Sequence, residues 1–276
     1  MSFLKNLFYS QDKIELNKYG WRKDKADIRD KIHNYKPLLG IEHIKEFDLL
    51  KFCPEVYKQG KLGSCTANAI AAAYEFDEIK QKEENIFTPS RLFIYYNERK
   101  IEGTIKYDSG AEIRDGIKSI NKIGVCSESS WPYIINNFIE KPSDLCYKEA
   151  KTHKTIKYRR IEQTLEQLKS SLFAGFPIVF GFNVYESFES QSVTDSGMMP
   201  MPKLNEKILG GHAVLAVGFD ENKNCFLIRN SWGINWGNNG YFYMPYDFIS
   251  NSKYASDFWT IKNVTHNKSP KYIKNN

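Results

Sequence analysis

The sequence predicts an α+β protein of two lobes, with a helical first half and a β-rich second half. In the first half, apolar residues recur at helical spacing, most clearly between Cys65 and Phe76. In the second half, short β-rich runs such as CFLIR from Cys225 alternate with turn residues. At 276 residues the chain is long enough for one two-lobed unit with its own core.

Three helices are predicted in the first half. The stretch QGKLGSCTANAIAAAYEF changes abruptly from glycine and serine to alanine at Cys65, so a helix begins there, and its alanines let other elements approach closely. A second helix starts at Thr88, which serves as the N-cap in TPSRLFIYYNER. A third begins near Ser109 and ends at Gly124. Its buried face consists of Ile113, Ile117 and Ile120.

The second half begins with a basic stretch, residues 153–160, which we interpret as a solvated connector. An amphipathic helix follows, ended by Gly175 and Pro177, and its buried face consists of Ile161, Leu165, Leu168 and Leu172. Four strands are then predicted from β-rich composition. They are the run PIVFGFNVY from Pro177 and the runs that start at Ala213, Cys225 and Gly240.

Composition excludes several classes of function. The formal charge of +6 comes from 39 basic and 33 acidic residues that are interleaved, so a nucleic-acid partner is not expected. No apolar run approaches the roughly 18 residues needed to cross a bilayer, and no signal peptide is recognisable. We therefore expect no membrane partner, and a cytoplasmic protein or one packaged in a particle.

The five cysteines are an odd number, so at least one thiol is unpaired in a monomer. Cys126 and Cys146 could bridge under oxidising conditions, although two unpaired thiols suit a chain without a signal peptide. A zinc site requires ligands at short spacings, yet the nearest cysteines, Cys53 and Cys65, are far apart and no CxxC occurs. We expect neither a metal nor a cofactor.

Cys65 stands at the start of the predicted central helix. Free amide hydrogens and the positive end of the helix dipole favour a thiolate there and lower the thiol pKa. A lone cysteine at such a position is more often structural, so other residues are needed to assign it a catalytic role.

The segment from Gly210 to Gly240 contains two apolar strands flanking the turn DENKN, which predicts a hairpin. A hairpin symmetric about residue 221 places His212 directly opposite Asn230, with their Cβ atoms about 5 Å apart. The Asn side-chain oxygen could then accept a hydrogen bond from the imidazole and fix its tautomer. A histidine that starts a buried strand is otherwise more often a core residue.

The order Cys, His, Asn and the motifs QGxxGSC, GGHAV and RNSWGxxWGxxGYF resemble the papain family of cysteine peptidases, from about Phe47 to Trp259. The resemblance implies a papain-like fold with the active site between the lobes. It also implies roles for individual residues. These are Cys65 as nucleophile, His212 as general base and acid, Asn230 as its orienter, Gln59 as oxyanion-hole donor and Trp232 as the indole shielding the Asn–His hydrogen bond.

The resemblance also implies substrate contacts for two further residues. In the family, the backbone at Gly110 would pair with an extended substrate, and Ala213 would touch the pocket for the second residue before the scissile bond. The chain departs from the family at Thr66, where Trp is usual, and at Leu62, where Cys is common. It therefore resembles the disulfide-poor members more than the secreted cathepsins.

These observations predict a cysteine endopeptidase that acts on proteins or peptides as a monomer. The alternatives are a binding protein on the same fold without turnover, and an acyl transferase or isopeptidase using the same residues. Residues 1–45 are interpreted as a leader on the surface, which could be a short propeptide through the cleft or a decoration. The peptidase domain spans 46–262, with lobes of 46–155 and 156–262, followed by a basic flexible tail, 263–276.

Overall fold

The computed structural model describes residues 18–35 and 43–266 of the chain. Its three longest helices lie in the first half, as the sequence predicts, and seven α-helices are present among the described residues. They are α1 (Cys65–Gln81), α2 (Arg91–Glu102), α3 (Ile113–Ile123), α4 (Asp144–Ala150), α5 (Leu165–Phe173), α6 (Gln191–Ser196) and α7 (Tyr246–Ile249).

The strands are β1 (Trp21–Arg22), β2 (Ile32–His33), β3 (Glu46–Asp48), β4 (Ala111–Glu112), β5 (His153–Ile161), β6 (Ile178–Tyr185), β7 (Ile208–Asp220), β8 (Cys225–Arg229), β9 (Tyr241–Pro245) and β10 (Ala255–His266). An eight-stranded sheet has the order β2-β5-β10-β6-β7-β8-β9, and β3 pairs with β7. A separate two-stranded sheet joins β1 to β4. The predicted α+β architecture is confirmed.

Helix α1 is the central element. Its residues are buried from Cys65 to Glu78, and it packs against α2 and α3 on one side and against β7 and β10 of the large sheet on the other. The alanine-rich composition allows this close approach on several faces. A second apolar core lies within the other lobe, where Phe180, Phe182 and Phe242 are fully buried.

Two predicted helix starts are displaced. Helix α2 is capped by Ser90 rather than Thr88, because the Ser90 hydroxyl accepts a hydrogen bond from the Phe93 amide at 3.1 Å. Helix α3 begins at Ile113 rather than near Ser109, because the residues just before it form β4 and pair with the leader.

The basic stretch that we interpreted as a connector is strand β5, so that prediction is wrong. It pairs antiparallel with β10 over nearly its whole length, which satisfies its backbone groups. Ile161 ends this strand instead of joining the next helix, and α5 begins after the cap Thr164. Strand β10 extends to His266, so the flexible tail does not start at 263. Residues 267–276 of that predicted tail lie outside the described residues.

The leader differs most from expectation. Its described part lies only partly on the surface: Trp21 and Asp24 are buried and β1 pairs with β4 in the cleft, which matches the alternative of a segment through the cleft, whereas Ile28 is exposed. Further along, β2 adds a strand to the edge of the large sheet beside β5. The predicted boundary at residue 45 therefore separates segments that pack together. Within the residues that the structure describes, no helix has the length and apolar character needed to span a bilayer.

Candidate active site

His212 and Asn230 meet in the buried interior next to the cleft. His212 Nε2 lies 2.8 Å from Asn230 Oδ1, and both residues are almost inaccessible to solvent. The amide oxygen can only accept, so Nε2 carries the proton in the neutral imidazole. Nδ1 is then the free base, and it is buried with no hydrogen-bond partner among the described residues.

The contact is confirmed, but the predicted register is wrong. The turn occupies residues 221–224, with Asp220 opposite Cys225, so the hairpin is not symmetric about residue 221. A bulge at Val217 then shifts the pairing by one residue and places Ala216 opposite Ile228. His212 and Asn230 are therefore not cross-strand partners, and Asn230 follows the last residue of β8. Because Asn230 lies just beyond the end of β8, it is not paired in the sheet, and its side chain contacts the His212 imidazole.

Trp232 covers the His212–Asn230 hydrogen bond. Its ring centroid lies 4.9 Å from that of His212, with an interplanar angle of 31°. Trp236 packs edge-on against Trp232 at 5.0 Å. Excluding water strengthens the hydrogen bond beneath the indole.

Cys65 is the first residue of α1 and is completely buried. Burial raises the pKa of its thiol to about 12, although hydrogen bonds from the backbone amides of Ala213, Gly20 and Thr66 favour the thiolate. Our expectation of a lowered pKa is therefore wrong for the intact chain. The helix dipole is present, but desolvation of the charged form outweighs it.

The imidazole is affected in the same direction. The pKa of His212 is lowered to about 4, mainly by burial, and the hydrogen bond to Asn230 offsets part of this effect. A raised thiol pKa and a lowered imidazole pKa both favour the neutral pair.

Gln59 is held rigidly beside the nucleophile. Its Oε1 accepts a hydrogen bond from the Ser231 hydroxyl at 2.6 Å, and its backbone carbonyl accepts one from the Tyr133 hydroxyl at 2.9 Å. Sequence reasoning missed both supports. Ser231 adjoins Asn230 in the NSWG motif and could have been suspected, whereas nothing in the sequence connects Tyr133 with Gln59.

With Oε1 occupied, the Gln59 amide directs its N–H groups into the cleft. Nε2 donates to the Leu62 carbonyl at 2.9 Å and to the Lys18 carbonyl of the leader at 3.0 Å. A leader carbonyl therefore occupies the position that the resemblance assigns to the substrate oxyanion.

The next leader residues fill the cleft at backbone distance. The Gly20 carbonyl accepts a hydrogen bond from the Ala111 amide at 2.7 Å. A Cβ at Gly20 would lie 1.7 Å from the Gly63 carbonyl oxygen, and one at Gly110 would lie 2.0 Å from the Gly20 carbonyl oxygen. Only glycine at these positions permits such an approach. Gly110 thus contacts an extended segment, as predicted, but that segment belongs to the chain itself.

Trp21 inserts its indole against the β-rich lobe. The ring lies on the backbone of Gly181, where a Cβ would come within 1.9 Å of it, and it also adjoins Gly211. Beside it, Arg22 forms an ion pair with Glu102 of the helical lobe. The leader therefore contacts both lobes with consecutive side chains.

Asp24 secures the leader beyond the cleft. Its carboxylate accepts hydrogen bonds from the Arg114 amide at 3.1 Å and from Trp259 Nε1 at 2.8 Å, and its own amide donates to Asp257 at 2.8 Å. Burial, followed by the Asp257 charge, raises the pKa of Asp24 to about 7, while the pKa of Asp257 is raised as well. The guanidinium of Arg160 near both carboxylates opposes the effect.

Stability is expected to fall with rising pH because of Asp24. Its pKa is about 7 in the fold against an ordinary 3.8, so the fold takes up the proton more readily than the unfolded chain. This contribution is complete below about pH 4 and is lost as the pH rises through about 7. Urea midpoints measured from pH 4 to 8 should decline less steeply for Asp24→Asn than for the parent chain; parallel curves would contradict this.

Thr66, which stands where the family usually has Trp, interacts below the nucleophile. Its hydroxyl donates to Glu98 at 2.9 Å. Glu98 is fully buried, and burial raises its pKa to about 8. The departure from the family pattern thus places a polar contact inside the helical lobe and leaves the cleft side of Cys65 unchanged.

Comparison with known proteins identifies the family. The model of the papain family cysteine protease matches residues 45–261. An uncharacterized peptidase C1-like protein of Acanthamoeba polyphaga mimivirus is 49% identical over 271 residues, covering 90% of this chain and 87% of that protein. Cathepsin K of Gallus gallus is 29% identical over 67% of this chain and 53% of its own length.

Solved structures agree with this assignment. Xylellain, a cysteine protease from Xylella fastidiosa, is 46% identical, with a TM-score of 0.83 over 95% of this chain and 99% of that one. A procathepsin B from Trypanosoma congolense matches with a TM-score of 0.69 over 88% of this chain and 86% of its own, at 16% identity. The second likeness concerns the fold alone.

Proposed function

Because the chain belongs to the papain family of cysteine proteases, we propose that it hydrolyses peptide bonds through Cys65, His212 and Asn230. The observation that carries the proposal is the 2.8 Å contact from His212 Nε2 to Asn230 Oδ1. This contact leaves His212 Nδ1 available as the base for the Cys65 thiol at the N-terminus of α1. Gln59 beside that thiol provides an oxyanion donor.

The reaction proceeds in two stages. The Cys65 thiolate attacks the substrate carbonyl while His212, having taken the thiol proton, protonates the leaving amine. Water activated by the neutral imidazole then hydrolyses the acyl-enzyme. Gln59 Nε2 and the Cys65 backbone amide stabilise the oxyanion, an interaction worth about 3 kcal/mol per donor. Substrates are proteins or peptides cut internally, by a monomer that is cytoplasmic or packaged in a particle.

We further propose that the intact chain is a zymogen whose leader acts as an inhibitor. The Lys18 carbonyl accepts a hydrogen bond from Gln59 Nε2, and the Gly20 carbonyl accepts one from the Ala111 amide. The leader backbone therefore occupies the position of the proposed oxyanion donor and the cleft beside Gly110, which supports occlusion of the site.

An epoxide inhibitor of papain-like enzymes tests the proposal. The substitution Gly20→Ala is used to displace the leader from the cleft. This variant is incubated with the epoxide and examined by peptide mapping and by hydrolysis of a peptide library. We expect label on Cys65 and peptide cleavage, both absent when Cys65→Ala is added. An opened chain that neither takes label nor cleaves peptides would be a binding protein. Incorporation of an added amine in place of hydrolysis would indicate an acyl transferase.

Gly20→Ala itself is expected to increase epoxide labelling of the full chain by roughly 5- to 150-fold, because overpacking costs about 1–3 kcal/mol. The new methyl group cannot fit against the Gly63 carbonyl, so the leader must leave the cleft. Lys23→Ala, at an exposed leader position, is the matched control and should have no effect. Trp21→Ala, which removes a buried indole, should act in the same direction as Gly20→Ala. A parent chain that takes label as fast as both variants would refute the zymogen hypothesis.

A further inference from the structure

A basic cavity lies where the leader joins the edge of the large sheet. Its volume is about 340 Å³, which is within the range of small-molecule sites. Cationic side chains from three parts of the chain line it: Arg29 and Lys31 of the leader, Lys118 of α3, and Lys157 and Arg159 of β5. No residue of the proposed catalytic site is among the lining residues, so the cavity is a separate feature of the molecule.

The two carboxylates beside these cations are already paired. Asp27 accepts hydrogen bonds from Arg29 Nε and Nη2, at 2.8 and 2.7 Å, and lies 3.5 Å from Lys118 Nζ. Asp30 lines the cavity, but its side chain is only 7% exposed and forms ion pairs with two guanidinium groups that do not line the cavity. Neither carboxylate is therefore available to the other cations of the cavity.

Three cations of the cavity form no ion pair within the described part of the chain. They are Lys31, Lys157 and Arg159, of which both lysines are exposed. Nη1 of Arg159 donates only to a backbone carbonyl, that of Tyr158, at 2.9 Å. Positive charges held this close repel one another, and an anion bound between them offsets the repulsion.

The edge of β5 adds a backbone donor to the cavity. Strand β2 pairs only with the last two residues of β5, and the Arg160 amide donates to the Lys31 carbonyl across this edge at 3.0 Å. Backbone N–H groups alternate in direction along a strand, so the Tyr158 amide points to the same edge at a level that β2 does not cover. The cavity is lined by Lys157, Tyr158 and Arg159 in succession, as expected for an opening at a strand edge rather than on one face.

This combination of groups favours a small phosphorylated anion. Guanidinium and ammonium groups are common ligands of phosphate oxygens, and N–H groups at a sheet edge add further donors. The cations converge on one cavity, whereas the charges of the chain as a whole are interleaved. An extended polyanion such as a nucleic acid would therefore find no continuous basic surface. Three unpaired cations suit a ligand with more than one phosphate group.

We propose that this cavity binds a small anion with two or more phosphate groups, either inorganic or the phosphate chain of a nucleotide. The phosphate oxygens accept hydrogen bonds from Lys31, Lys157 and Arg159 and from the Tyr158 amide. Because the leader, α3 and β5 all contribute to the cavity, the bound anion joins these three elements and stabilises the folded chain. The inference is independent of the proposed function, because no catalytic residue takes part.

Calorimetric titration of the full chain with sodium tripolyphosphate at constant ionic strength tests the site. We expect one site, with an affinity at least about tenfold higher than that for orthophosphate, because several cations are engaged at once. The double variant Lys157→Gln/Arg159→Gln should weaken binding at least about tenfold, and Lys31→Gln alone should weaken it in the same direction. The matched control is Lys203→Gln/Lys207→Gln, which removes the same charge at exposed positions outside the cavity and should bind like the parent chain.

Thermal unfolding provides a second measurement on the same chains. Without anion, equal midpoints show that the variants are folded, and saturating tripolyphosphate should raise the midpoint of the parent chain more than that of the cavity double variant. Equal affinity for adenosine triphosphate and tripolyphosphate would indicate that phosphate groups alone are recognised, and higher affinity for adenosine triphosphate would identify a nucleotide. Equal tripolyphosphate affinity in the parent chain and the cavity double variant would overturn the proposal. Tighter binding of a short DNA duplex than of tripolyphosphate would also overturn it, in favour of an extended nucleic-acid surface.

Discussion

His212→Ala, placed in the chain opened by Gly20→Ala, is expected to reduce peptide hydrolysis on the order of 10⁴-fold or more. The thiol then lacks the Nδ1 base, and the leaving amine lacks its proton donor. Asn230 would retain its side chain but would have nothing to orient. Initial rates on a fluorogenic peptide from the library, compared between the two chains, measure the effect.

His153→Ala in the same background provides the matched control. His153 lies outside the active site, with its ring centroid 4.5 Å from that of Phe87, and its loss should leave hydrolysis nearly unchanged. A His212→Ala chain that keeps more than about one-hundredth of the parental rate would remove His212 from the proposed mechanism.

The sequence was sufficient to predict the helix start at Cys65 and the contact between His212 and Asn230. Cys65 begins a buried helix because glycine and serine give way to alanine there, and His212 contacts Asn230 because both border one hairpin. The register of that hairpin could not be predicted. It depends on where the turn closes, with Asp220 opposite Cys225, and on a one-residue bulge at Val217, neither of which the apolar strands around DENKN specify.

The leader could not be placed from the sequence because its periodicity is weak and its charge is typical of a solvated surface. Its position depends on a few long-range contacts, of which Trp21 on Gly181 and Asp24 with Trp259 are the clearest. A single tryptophan in a charged segment does not indicate where the segment lies until the surface that binds the indole is known. The same limit applies to the basic strand β5, whose identity depends on its partner β10.

The leader also explains why Cys65 differs from expectation. A helix N-terminus favours a thiolate when the site is solvated, but covering the cleft removes that solvation. The raised pKa of Cys65 and the lowered pKa of His212 have burial as their common largest cause. In the proposed zymogen, occlusion would therefore act in two ways, by excluding substrate and by keeping the Cys65 thiol protonated.

Alkylation by iodoacetamide should reveal this second effect as a large change in rate. With a thiol pKa of about 12 in the intact chain, only about 10⁻⁵ of Cys65 is thiolate at pH 7. A thiol of ordinary pKa is a few per cent thiolate at the same pH. Opening the cleft should therefore accelerate alkylation of Cys65 about a thousandfold. Because the raised pKa lies far above neutrality, the rate in the intact chain should increase about tenfold per pH unit between 7 and 10. Mass mapping of intact and Gly20→Ala chains across this range measures both.

Cys53 serves as an internal reference in the same digest. It is partly exposed, burial raises its pKa to about 11, and it lies outside the leader contacts described above, so its alkylation rate should be equal in the two chains. Equal rates for Cys65 in the intact and opened chains would show that the leader does not control the nucleophile. A Cys65 rate independent of pH in the intact chain would show that its thiol is already ionised beneath the leader, and that occlusion acts on substrate access alone.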